Sequence, residues 1–239
     1  KYDYVHVQSL ARYLIPSLFV NCKKLLLTAW GSDIYFARKN IFIKLLQDIQ
    51  LKKSKLITCD SEELINKLSK ITKKQKIYRI NFGTDCKIFK PNKSKPKCSK
   101  GSKYILSTRN FYEVYDIKTL LKAYCDLNFD IQEKYKLILI GKGPCEKELK
   151  QFVSDNNLIN KVLFPGYVNQ VELSKLYANC DIYVSTSLSD AGIAASTAEA
   201  MASGAISLIT DVRENKIWVN NKENNGALFK PSNHKELTR

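Results

Sequence analysis

The chain has 239 residues, 44% hydrophobic and 26% charged, a composition that excludes disorder and allows one large domain or two modest ones. Lys and Arg outnumber Asp and Glu by 39 to 23, and the net charge of +16 draws the chain toward phosphates or anionic surfaces. Apolar runs such as Leu137-Ile-Leu-Ile140 are too short to span a bilayer, and seven scattered cysteines without a C-x-x-C pair argue for reduced thiols over disulfides or zinc.

The chain opens at Lys1-Tyr-Asp without Met and within a strand-like run, so it reads as a piece of a longer protein, with no secretory signal and a cytoplasmic setting expected. The lysines are spread along the chain and no zinc-finger or RNA-recognition signature accompanies them, so nucleic acid is not an expected partner. A well-solvated lysine-rich surface and attraction to an anionic membrane surface both stay open.

Hydrophobic periodicity predicts strands at 4–7, 24–28, 55–58 and 77–80, with amphipathic helices over 41–50 and 61–70. The second helix starts at Asp60-Ser61-Glu62-Glu63, where a capping residue and early acids favour a helix N-terminus. Residues 90–103 hold two prolines, many lysines and almost nothing apolar, and read as an exposed linker. The expected organisation is therefore a first lobe over 1–90, a hinge over 91–103 and a second lobe over 104–239. Beyond the hinge, strands at 104–107, 137–140, 162–164, 181–184, 206–209 and 227–229 alternate with helices at 117–127, 145–156, 170–179 and 196–203. That alternation predicts an α/β chain with a parallel, doubly wound sheet, whose ligands gather at the carboxyl ends of the strands.

Three loops after strands of the second lobe carry chemistry. Ser107-Thr-Arg109 puts a guanidinium at a strand end, suited to a diphosphate or equally to pairing with a nearby acid. Gly141-Lys-Gly143 allows close backbone approach to a ligand, or simply a turn; it is neither a G-x-G-x-x-G fingerprint nor a Walker sequence. The loop from Ser185 through Asp190, Gly192, Ile193 and Ala194 leads into an alanine-rich helix starting near Ser196. The free N–H groups at that helix tip suit phosphate. Glu199, expected in the first turn, can accept from ribose hydroxyls, or can simply favour the helix dipole.

Glu199-Ala-Met-Ala-Ser-Gly204 resembles the donor-site motif of the family 4 retaining glycosyltransferases, also called glycosyl transferases group 1. Phe164-Pro-Gly166, the segment from Leu173 to Ser187, Asn225-Gly226-Ala-Leu-Phe229, the stretch from Asn81 to Pro91 and Trp30-Gly31-Ser32-Asp33 are similar to further stretches of that family. Departures from its pattern are Ala191 where the motif has its first acid, Trp30 for a histidine, and Tyr115 in the region of a diphosphate-binding lysine.

The resemblance implies a GT-B fold, two Rossmann-like lobes facing a cleft, with the first lobe incomplete. It implies a nucleoside-diphosphate sugar as donor substrate, with no further cofactor and no metal, there being no Asp-x-Asp motif. Transfer to a glycan or lipid-linked acceptor would proceed with retention. Arg109 and Asp190 are the implied catalytic groups, Asp190 as a substitute for the missing acid. Arg109, Gly141, Gly143, Gly166, Gly192, Ile193, Ala194 and Glu199 would hold the donor, and Gly31 and Asp33 would lie on the acceptor side. The implied setting is cytoplasmic and peripheral at the inner membrane face. A non-catalytic nucleotide-binding relative and a GT-B sugar-nucleotide epimerase are the alternatives.

Overall fold

A computed structural model describes residues 2–11, 13–72, 75–92 and 103–239. They divide into two units, Lys1–Phe82 with Ala191–Ile193, and Gly83–Asp190 with Ala194–Arg239. Within the expected hinge, residues 93–102 lie outside the described ones.

The first unit runs β1 Tyr2–Val7, α1 Leu14–Leu18, β2 Cys22–Ala29, α2 Ser32–Tyr35, α3 Ile41–Lys53, β3 Leu56–Cys59, α4 Glu62–Ile71 and β4 Lys76–Arg79. The strands form one parallel sheet in sequential order, β1-β2-β3-β4. Asn40 starts α3 by accepting from the N–H groups of Phe42 and Ile43, and the Ser61 hydroxyl accepts from Leu64 N–H at 3.3 Å to start α4. Leu27, Leu51, Ile57, Leu64 and Leu68 are fully buried between sheet and helices.

The second unit begins with β5 Lys103–Ser107, α5 Ile117–Cys125, α6 Phe129–Lys134, β6 Tyr135–Ile140, α7 Glu146–Asp155, β7 Val162–Gly166 and α8 Gln170–Asn179. It continues through β8 Ile182–Ser185, α9 Ala195–Ala202, β9 Ile206–Thr210, α10 Asn215–Trp218, β10 Gly226–Phe229 and α11 His234–Thr238. Its six strands are all parallel, in the order β7-β6-β5-β8-β9-β10. Counted from β5, this is the doubly wound order 3-2-1-4-5-6.

Both faces of this sheet are covered, which is why its strands read as continuous apolar runs. Ile105, Leu137 and Leu139 pack on one side with Leu121 and Tyr124 of α5; Leu106, Ile138 and Ile140 pack on the other with Tyr177 of α8 and Ala200 of α9. Pro165 sits in β7, an edge strand, where a missing N–H is tolerated.

The short helices α1, α2, α6, α10 and α11 add to the predicted elements; they span four to six residues each, too few for a periodic signal. No helix among the described residues is long and apolar enough to cross a membrane.

Candidate functional site

In a doubly wound sheet the loops on either side of the point where strand order reverses run to opposite faces and leave a crevice at the carboxyl ends. In the second unit that point falls between β5 and β8. A cavity of about 450 Å³ opens there. Thr108 and Arg109 after β5, Gly141 and Lys142 after β6, Gly166 at the end of β7 with Tyr167 and Val168 beyond it, and Ser196 and Glu199 of α9 line it.

Arg109 is held from four directions. One terminal nitrogen lies 2.6 Å from Asp190 Oδ1 and donates to Ser187 Oγ at 3.2 Å; the other donates to Ser196 Oγ at 3.3 Å. The guanidinium also stacks over Tyr115, 4.3 Å from the ring centroid. Burial opposes the charge, but Asp190 and the neighbouring tyrosines outweigh it and hold the arginine above its ordinary pKa. It is a fixed cation whose buried Nε has no hydrogen-bond partner among the described residues.

Glu199 sits on the same cavity by a second polar chain. It is the fifth residue of α9, which begins at Ala195, so the expected place in the first turn is corrected to the second. The helix starts one residue earlier than the sequence suggested because Ala194 already closes the first turn, its carbonyl accepting from Ala198 N–H at 3.0 Å. Glu199 hydrogen-bonds with the Tyr177 hydroxyl, which is 2.6 Å from Thr108 Oγ1. An ionised carboxylate can only accept, so Tyr177 donates to it and takes its own bond from Thr108. Burial pushes the Glu199 carboxyl above its ordinary pKa, and Tyr177 opposes that shift.

At the tip of α9, Ala194 offers no capping side chain, and the first-turn residues Ala195 and Ser196 line the cavity. Ser196 Oγ lies between Arg109 and the Tyr183 hydroxyl, which donates to it at 2.8 Å. An anion in this cavity would meet the guanidinium and the helix tip, and a hydroxylated ligand would find an acceptor in Glu199.

The remaining expected residues are dispersed. Gly141 and Gly166 line the cavity, but Gly143 does not. A Cβ at Gly143 would stand 2.3 Å from the Phe111 carbonyl oxygen, so its close approach is to the β5 loop. Gly192 and Ile193 group with the first unit and line no part of the cavity, and Ala194 serves as the α9 N-cap. Gly31, at φ 85°, is the N-cap of α2 in the first unit. Asp33 is buried there, accepting from the N–H groups of Leu10 at 2.9 Å and Trp30 at 3.1 Å. Burial raises its pKa and those backbone donors lower it.

Tyr177, Tyr183, Ser187 and Ser196 were not singled out from sequence. Their signal was faint: Tyr177 follows Leu173 at i+4 on α8, facing the same way, and both line the cavity. Among the described residues, no group of three or more His, Cys, Asp or Glu side chains could hold a metal ion.

The profile of the family described as "Glycosyl transferases group 1" matches residues 89–239. The chain belongs to this family. An uncharacterized glycosyltransferase of Methanocaldococcus jannaschii is 29% identical over 160 residues, 66% of this chain and 38% of that protein. Sucrose-phosphate synthase from Thermosynechococcus elongatus superposes with a TM-score of 0.80 at 18% identity, over 99% of this chain and 62% of that one. The Anabaena protein HepE, solved in complex with UDP-glucose, gives a TM-score of 0.78 at 18% identity over 99% of this chain and 67% of that one. The fold is thus that of the GT-B glycosyltransferases. The chain spans between 38% and 49% of the length of the curated relatives it matches.

Proposed function

We propose that this chain is the donor-binding part of a retaining glycosyltransferase that uses a nucleoside-diphosphate sugar. The observation that carries the reading is the meeting of Arg109, the uncapped tip of α9 and Glu199 on one cavity at the reversal point of a doubly wound sheet. Pyrophosphate would lie against Arg109 and the α9 amides, ribose against Glu199, and the base beside the Gly166–Val168 loop. Binding of UDP-glucose by the structural relative HepE supports this choice of ligand class.

In the reaction the bond from the anomeric carbon to diphosphate breaks and a bond to an acceptor oxygen forms on the same face. Negative charge grows on the departing diphosphate. A preorganised guanidinium on the cavity wall stabilises that charge where it develops. Lys142, on the same cavity, adds a second cation where the family pattern has a lysine elsewhere. The donor is the only small molecule this reading requires besides the acceptor.

Acceptor recognition falls to the first unit, with Gly31 and Asp33 in a positioning role and a glycan or lipid-linked sugar as acceptor. The basic charge suits work at the cytoplasmic face of an anionic membrane. A second reading, a nucleotide-binding relative without turnover, is favoured by one observation: Asp190, the nearest acid to the motif's empty position at Ala191, is already engaged by Arg109. Incubation with UDP-, GDP- and ADP-sugars separates the two. Release of nucleoside diphosphate from one donor class supports the transferase, binding without release supports the second reading, and neither overturns both.

A further inference from the structure

A guanidinium carries N–H donors on three nitrogens, and most of those on Arg109 are committed within the second unit. Both hydrogens of Nη2 are engaged, by Asp190 at 2.6 Å and Ser187 at 3.2 Å. Nε is buried and cannot reach a ligand. Of the two hydrogens on Nη1, one goes to Ser196 Oγ at 3.3 Å. Among the described residues, then, one N–H of Nη1 stays open for an anion in the cavity. The two-pronged grip that suits arginine to phosphate is not available from this side chain alone.

Ser196 can supply the second prong. Its oxygen has two lone pairs and one hydrogen. Arg109 can only donate, so it fills one lone pair, and the Tyr183 hydroxyl donates into the other at 2.8 Å. The Ser196 hydrogen is left uncommitted among the described residues. Its direction follows from where the two donors sit. Tyr183 is fully buried and the Arg109 side chain only 11% exposed, so both approach from the protein side. Around a tetrahedral oxygen the remaining direction faces the cavity, which Ser196 lines from the first turn of α9. Two donors also fix the hydroxyl before a ligand arrives, so little ordering remains to be done.

We propose that the Ser196 hydroxyl donates to a phosphate oxygen and, with the open N–H of Arg109 Nη1 beside it, forms the grip on the diphosphate. This rests on the donor reading above and deepens it, giving a role to a side chain that reading leaves idle. Because Asp190 and Ser187 consume the outer edge of the guanidinium, the serine is required here where a free arginine would suffice.

The test is calorimetric titration of UDP, GDP and ADP into the unsubstituted chain, Ser196→Ala, Tyr183→Phe and the double variant. Ser196→Ala should weaken whichever diphosphate binds by about tenfold or more. Tyr183→Phe keeps the serine hydroxyl and should cost less than about threefold. The double variant removes both ends of the Tyr183–Ser196 bond and strands neither, so it should keep its helical circular dichroism and still show the full loss. Where Ser196→Ala alone loses that signal, the double variant decides. The proposal is overturned if the variants lacking the serine bind as the unsubstituted chain does. It is equally overturned if Tyr183→Phe loses as much as Ser196→Ala, the mark of a serine that only supports its neighbours. No binding of any of the three to the unsubstituted chain would overturn the donor reading, and this proposal with it.

Discussion

Asp190 Oδ1 stands 2.6 Å from a terminal nitrogen of Arg109, and both side chains are nearly removed from solvent. The acid nearest the motif's empty position and the arginine suited to diphosphate are therefore one ion pair. Removing either partner strands the other's charge. Arg109→Ala and Asp190→Ala should each cost ~3 kcal/mol, and the double variant should fall short of their sum by ~2 kcal/mol. Urea unfolding of the four proteins measures this coupling; strict additivity would mean that the pair is not formed in solution.

The same pairing bears on ligand binding. In Asp190→Asn the guanidinium lacks its anion, and a diphosphate can supply one. Added pyrophosphate should raise the melting temperature of Asp190→Asn by more than it raises that of the unsubstituted chain. An equal or smaller rise in the variant would place the phosphate site away from Arg109.

Glu199 gives a pH signature. Burial holds its pKa above the ordinary 4.5, so the folded chain disfavours the ionised form. That penalty is absent below the unfolded pKa and complete once pH exceeds the folded one. Glu199→Gln should therefore be more stable than the parent near pH 7 and gain nothing near pH 4. Nucleotide affinity needs the ionised carboxylate and should weaken as pH falls through the raised pKa, while the glutamine variant shows no such step. Parallel pH profiles for the two proteins would contradict this.

Tyr177→Phe removes the hydroxyl that opposes the Glu199 shift. The pH step in nucleotide affinity should then move upward. Stability should fall by about 1 kcal/mol through loss of the bond to Thr108. An unmoved step would separate Tyr177 from Glu199 in function.

The two glycines flanking β6 and β7 should behave differently. At Gly143 an added Cβ meets the Phe111 carbonyl at 2.3 Å, whereas Gly166, at φ 77°, faces open space. Gly166→Ala should cost ~1–2 kcal/mol from backbone conformation alone. Gly143→Ala must shift the β5 loop as well, and thermal melts should show the larger loss there.

Much of this architecture was legible because the second unit's strands are apolar throughout and evenly separated by helices. The Arg109–Asp190 pair was not legible: its members lie 81 positions apart, and only the crossover between β5 and β8 makes them neighbours. Gly143 shows a different limit, since a glycine signals close approach without naming what approaches. For α3, periodicity located the helix but not its inward face; buried carbonyls at Leu10 and Asp33 recruit Gln47 there. Glu199 was placed one residue too near the helix start because nothing in an alanine-rich run marks where the helix begins.

Calorimetric titration of UDP, GDP and ADP into the chain and into Glu199→Ala tests the donor-site reading most directly. We predict that one of these diphosphates binds, and that the substitution weakens it at least about tenfold while the fold is retained by circular dichroism. Equal affinity in both proteins, or no binding of any of the three, would contradict the account.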